Sequence, residues 1–117
     1  DNNHLAFLDI HPLAEGHNLV IPKKHYPTLG DMPARETEAM TEFARYIAIH
    51  YQSVTRNDLV YMLVLGGKVP HAAMHIIPNY DNTFQYAINE CISRTSKVDP
   101  LDIDNAYHVA NQYRIRS

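Results

Sequence analysis

An α+β domain on a mostly antiparallel sheet is what this sequence predicts, and three observations predict it. Short apolar runs of strand length open the chain and return after its midpoint. Between them lies one long stretch whose apolar residues recur at spacings of three and four. Pro and Gly interrupt the runs where connections between strands belong. The resulting order, β-β-α-β-β with helices later, is the pattern of an antiparallel sheet with its helices to one side.

Leu5–Ile10 reads as the first strand, ended by Pro12, and Leu13-Ala14-Glu15-Gly16 as the turn after it. His17–Pro22 reads as a second strand, which makes a hairpin of the pair, and Lys23-Lys24-His25-Tyr26-Pro27 leads into a loop. Asp31 is the expected N-cap of the long helix, with Pro33 in its first turn. Met40, Phe43, Ile47, Tyr51 and Val54 give that helix its apolar stripe, and Asn57-Asp58 breaks it. Leu59–Leu65 is continuously apolar, as in a strand covered on both faces. Gly66-Gly67 marks a turn, and Val69–Pro78 reads as the next strand. Phe84, Ile88, Cys91 and Ile92 fit a short helix. Leu101, Ala106, Tyr107, Ala110 and Tyr113 fit a terminal one begun near Asp99-Pro100.

The 117 residues suit one domain, expected to span 1–117 with a core that needs no staples. Ten basic against 13 acidic residues leave a net charge of −3, with the cations scattered, so nothing points to a nucleic-acid partner. No apolar run approaches the roughly 20 residues of a membrane span, so no membrane partner is expected. Cys91 is the single cysteine, which excludes an intrachain disulfide and fits a cytoplasmic protein. The chain begins at Asp1 as if in mid-sequence, and further N-terminal residues are expected upstream of it.

Eight histidines are the skewed number, and His17, His25, His71 and His75 lie in or beside apolar runs. In the stretch VPHAAMHIIP, strand alternation puts His71, Ala73 and His75 on one face. The two imidazoles stand about 13 Å apart at a rise of ~3.3 Å per residue. An ordinary reading is a pair of half-buried, hydrogen-bonded side chains. A metal site is a second reading, but on a strand these two rings are far apart, and His17 or His25 would have to complete it.

A third reading rests on resemblance. The run AFLDIHPLAEGHNLVIPKKH closely resembles the first signature of the histidine-triad (HIT) family, approximately aFxDxxPxxxGHxLVIPKxH. VPHAAMHIIP resembles its second signature, His-x-His-x-His introduced by Val-Pro, except that Ala73 replaces the middle histidine. The resemblance covers residues 5 to 78 well and implies a HIT-like fold: an α+β domain with about five mostly antiparallel strands, one long helix and C-terminal helices.

What it further implies is a nucleotide hydrolase or transferase, in most members a homodimer. The middle histidine attacks the α-phosphorus of a nucleoside phosphoramidate or dinucleoside polyphosphate. A nucleotidyl-histidine forms and water or another acceptor resolves it. Carried over by position, Asp9 resembles the carboxylate that holds the ribose, and Phe7 and Ile10 resemble part of the base slot. His17 resembles the supporting histidine that completes a hydrogen-bonded chain with His71. His75 is the third triad member, beside the phosphate, and Ala73 sits where the nucleophile belongs. The family's Asn and Gln phosphate-binding residues are missing before the triad, which leaves Lys68 as the candidate point charge. In some members the position of His25 helps hold a structural zinc with upstream cysteines. This chain has no such cysteines, so no cofactor is expected.

Three accounts of Ala73 stand open. It is a His→Ala replacement in an otherwise intact enzyme, or the mark of a natural nucleotide-binding module without turnover, or part of a scaffold with the pocket abandoned. The retained His17, His71, His75 and Asp9 favour the first, because buried imidazoles without a purpose burden a fold with polar nitrogens to satisfy. On either of the first two accounts the expected partner is an AMP-like purine nucleotide.

Overall fold

Period-two alternation and a Gly-bearing turn bring the first two strands together. In the computed structural model, which describes residues 2–64, 69–95 and 102–115, β1 (His4–Leu8) pairs antiparallel with β2 (Asn18–Pro22), from His4↔Pro22 to Leu8↔Asn18. Gly16 closes the turn at φ +87°, a backbone angle that side chains rarely adopt, and a Cβ there would meet Pro78 Cγ at 2.9 Å. The last strand therefore comes close against the first turn.

β3 (Val60–Val64) and β4 (Met74–Pro78) pair antiparallel over their full lengths, and β4 also pairs with β2. The order is β1-β2-β4-β3, so β4 lies inside the sheet and β1 and β3 form its edges. Among the described residues there are four strands, where about five were expected.

α1 (Ala34–Thr55) packs across β4 and β2. Its Met40, Ala44 and Ala48 meet Val20, Met74 and Ile76 in the core, with Phe43, Ile47 and Tyr51 packed at the margin. Two of its three buried positions are alanines, a small contact row that lets the helix backbone lie close to the sheet. Val54, expected on the stripe, is 59% exposed.

Three expectations change here. Asp31 does not cap α1. It ends a 3-10 turn (Leu29–Asp31), and its carboxylate turns back to accept from the Thr28 amide at 3.0 Å and the Thr28 hydroxyl at 2.8 Å, leaving Pro33 at the helix start. β3 is not covered on both faces. Its Met62 and Val64, which pair with Ile76 and Met74 on the α1 side, are 41% and 50% exposed, because α1 packs over β4 and β2 more than over this edge strand. The strand drawn from Val69 begins its ladder only at Met74, because β2 ends its pairing with β4 at Val20↔Met74. Burial still alternates from His71 to Ile76, so the period-two reading holds ahead of the ladder.

The chain divides into two compact units, Asp1–Ala87 and Ile88–Ser117. In the first, Phe84 near the start of α2 (Thr83–Thr95) is buried and meets the Tyr61 ring edge-on at 4.9 Å. In the second, Cys91 and Ile92 of α2 are exposed. α3 (Ile103–Gln112) starts from Asp102, whose carboxylate accepts from the Asn105 amide at 2.7 Å. The expected start at Asp99-Pro100 and Leu101, the Leu65 strand end, the turn at Gly66-Gly67, and Lys68 lie outside the described residues.

Candidate functional site

Partners across an antiparallel ladder share a face. The register Leu8↔Asn18, Ala6↔Val20 and Val20↔Met74 fixes the α1 side of the sheet. Phe7↔Leu19, Leu19↔His75 and Leu63↔His75 therefore place Phe7, Leu19, Leu63 and His75 on the opposite side. His17, two residues before Leu19, joins that side. Asp9 joins it too, since the Asp9 amide donates to the His17 carbonyl at 2.9 Å and continues the hairpin past β1. The result is an apolar platform with a polar cluster at one end.

In that cluster His17 Nε2 lies 2.8 Å from His75 Nδ1 and 3.6 Å from Asp9 Oδ2. The Leu13 amide donates to His17 Nδ1 at 3.0 Å. Asp9 Oδ1 accepts from the His11 amide at 2.8 Å, so one carboxylate oxygen ties down the loop and the other faces the imidazoles. His17 is only 2% exposed, and His75 is half-buried. Burial lowers the pKa of both rings below the ordinary histidine value, against the opposing pull of Asp9, so both are neutral near pH 7.

His71 keeps different company. The resemblance implies a chain from His17 to His71, but His17 bonds His75 instead. The turn before β2 brings the buried His17 ring to the third histidine, while His71 lies ahead of the β4 ladder, next to the chain that leaves β2. There His71 Nε2 donates to the Pro22 carbonyl at 3.1 Å, and His71 Nδ1 lies 3.2 Å from His25 Nδ1. Ala72 between them is buried, and its amide donates to the Tyr26 carbonyl at 2.7 Å. That bond pins the segment so that His71 and Ala73 face away from the core. Ala73 is half-buried, on the same face as His75.

Of the residues singled out in the sequence, Asp9, His17 and His75 thus meet in one cluster, with Ala73 beside them and Phe7 on the adjoining platform. Ile10 stands apart, 86% exposed beyond the end of β1. Lys68 is outside the described residues. The Leu13 amide and the Pro22 carbonyl, which hold His17 and His71, carry no sequence signal, because any residue has these groups.

Two metal arrangements can be tested on this geometry. Asp9, His17 and His75 offer donor atoms within 4.8 Å of one another. His25 and His71 present their Nδ1 atoms together, and His71 gives its other N–H to a carbonyl, the orientation that metal-bound imidazoles use. That pair amounts to two ligands of a tetrahedral site, and among the described residues no third donor groups with it.

Residues 1–82 match the HIT domain. Adenosine 5'-monophosphoramidase HNT1 of Saccharomyces cerevisiae is 40% identical over 81 residues, covering 65% of this chain and 49% of that protein. Adenylylsulfatase HINT3 of Arabidopsis thaliana is 33% identical over 104 residues, covering 85% of this chain and 53% of that protein. The chain thus spans about half the length of either enzyme. Among solved structures, a HIT-family protein of Bacillus subtilis is similar with a TM-score of 0.69 and 25% identity, over 100% of this chain and 86% of that one. No helix of the described residues is long and apolar enough to cross a membrane.

Proposed function

The chain belongs to the HIT family, and from that membership and the cluster at the sheet end we propose that it binds an AMP-like purine nucleotide on the face opposite α1. The observation that carries this reading is the His17–His75 hydrogen bond with the Asp9 carboxylate 3.6 Å from the His17 ring, beside Ala73. None of the three belongs to the apolar core cluster, yet the sheet holds them together at the end of an apolar platform. In this reading Phe7 and Leu19 underlie the base, and Asp9 Oδ2 accepts from a ribose hydroxyl. His75 meets the phosphate, and Lys68 remains the sequence's candidate for a second charge there. Ile10 has no part in the slot as drawn, since it points into solvent beyond the strand.

The parent chemistry is nucleotidyl transfer at the α-phosphorus, on a nucleoside phosphoramidate or a dinucleoside polyphosphate. A neutral imidazole at position 73 would attack phosphorus through its lone pair, the P–N or P–O bond to the leaving group would break, and water would resolve the nucleotidyl-histidine. Alanine has no lone pair, so this chain binds the nucleotide and does not turn it over. The edge strand β3, with Met62 and Val64 exposed, supports a homodimer in which a second copy covers that edge. A single cysteine in the chain, which rules out an internal disulfide, is in keeping with a cytoplasmic location.

Titration of the chain with AMP and ADP, followed by a phosphoramidase assay on Ala73→His, tests the proposal. Saturable AMP binding is expected before the substitution, and turnover after it. AMP binding with no turnover by Ala73→His would leave a binding module. No binding by either protein would refute the nucleotide reading.

A further inference from the structure

The hydrogen bonds around His17 fix more than distances. A backbone amide can only donate, so the Leu13 N–H at 3.0 Å requires a lone pair on His17 Nδ1. A neutral ring then carries its proton on Nε2. That N–H has His75 Nδ1 at 2.8 Å and Asp9 Oδ2 at 3.6 Å before it, and only the first is within hydrogen-bonding distance. His75 Nδ1 is therefore the acceptor, and the His75 proton sits on Nε2. No hydrogen bond among the described residues engages that nitrogen.

We infer that the Leu13 amide, acting through His17, makes His75 Nε2–H a fixed hydrogen-bond donor, so that the cluster receives an anionic oxygen and rejects a metal cation. Proximity alone suggests the reverse, because Asp9, His17 and His75 gather three donor atoms. Ligation through His17 Nε2, however, would move the ring proton to Nδ1. It would then face the Leu13 N–H at 3.0 Å, donor against donor, in a ring only 2% exposed. Metal-bound imidazoles aim their second N–H at an acceptor, and this one is aimed at an amide. His75 Nδ1 is closed for a related reason, since it already accepts from His17. Burial supports the assignment by keeping both rings neutral. The ligand's identity, a phosphate monoester oxygen at His75 Nε2, rests on the nucleotide reading. The proton positions do not.

Leu13 and His17 are thus positioning groups, and their signature is spectroscopic. In two-bond 1H–15N correlation spectra of the unliganded, 15N-labelled protein at pH 7.5, His17 and His75 are expected to show lone-pair Nδ1 and protonated Nε2. A protonated Nδ1 on either ring overturns the inference. Leu13→Pro deletes the amide proton at an exposed loop position that already follows Pro12, and a His75 population with protonated Nδ1 is then expected. Unchanged tautomers in that variant would show that the amide does not set them. Equimolar Zn2+ is expected to leave the His17 and His75 nitrogens unmoved, and a shift of both by Zn2+ would overturn the exclusion of metal. Added AMP is expected to move His75 Nε2 most. AMP that binds and leaves it unmoved refutes the donor role. AMP that does not bind at all refutes the nucleotide reading alone, since the tautomers are read without it.

Discussion

Mild acid should weaken this fold through its buried histidines, before any carboxylate titrates. Burial lowers the His17 pKa in the native state, whereas the unfolded chain protonates that ring near the ordinary value of 6.5. As pH falls through 6.5 the unfolded state binds a proton that the native state refuses, so stability is lost with acid. The loss begins near 6.5 and stops only where the native ring itself protonates. For a ring that stays neutral, linkage sets the slope at about 1.4 kcal/mol per pH unit, which between pH 7.5 and 5.5 gives at most about 1.4 kcal/mol from His17. His17 warrants that ceiling because it is only 2% exposed. His75 is shifted in the same direction but is half-buried, and solvent screening leaves it a smaller part. His4, also buried and also lowered, adds in the same direction. A total of roughly 1–3 kcal/mol, or several degrees of Tm in a domain of this size, is expected. The assay is urea unfolding at pH 7.5, 6.5 and 5.5, on the wild type and on His17→Gln. Glutamine accepts from the Leu13 amide and donates to His75 yet cannot titrate, so its acid loss should be smaller. Stability that stays flat or rises toward pH 5.5, or an equal loss in both proteins, would refute the reasoning.

Other outcomes follow from the same coordinates. Gly16→Ala must adopt φ +87° and sets a Cβ 2.9 Å from Pro78 Cγ, so it should cost about 1–3 kcal/mol; a change under about 0.5 kcal/mol in urea unfolding would contradict that contact. Ile76→Ala empties a fully buried site under α1 and should cost about 2–5 kcal/mol by the same method. Asp9→Asn removes the charge that opposes the lowering of the His17 and His75 pKa values, so its acid loss should extend to lower pH than in the wild type. On the nucleotide reading, calorimetric titration should also find AMP binding to Asp9→Asn weaker by about tenfold or more, the worth of a charge-assisted hydrogen bond.

The sequence makes legible whatever depends on period and punctuation. The hairpin, the long helix and the inward alternation of Ala72, Met74 and Ile76 follow from spacing, since each places apolar groups on one side. The two short signatures carry the family. Three features escape for identifiable reasons. Asp31 looks like a helix cap because its side chain suits that role, but Thr28 offers two donors nearer to hand. The β3 run reads as covered because hydrophobicity does not say how far the helix reaches, and α1 lies over β4 and β2 more than over the edge strand. The partner of His17 could not be read because position-matching says nothing of ring rotation. Backbone groups of Leu13 and Pro22 decide which imidazole bonds which, and they have no letter in the sequence.

The bond from the Ala72 amide to the Tyr26 carbonyl bears on how such a domain can change its trade. It fixes the course of the chain at position 73 from the neighbouring residue, through the backbone, and asks nothing of the side chain at 73. The core is completed by Ala72, Met74 and Ile76, each facing the other way. On the nucleotide reading, reactivity and foldedness are therefore held by different residues on one short segment. On that reading a lineage can acquire or discard the reacting group by a single substitution on an unchanged backbone course, and a receptor and a catalyst built on this frame would differ at one residue.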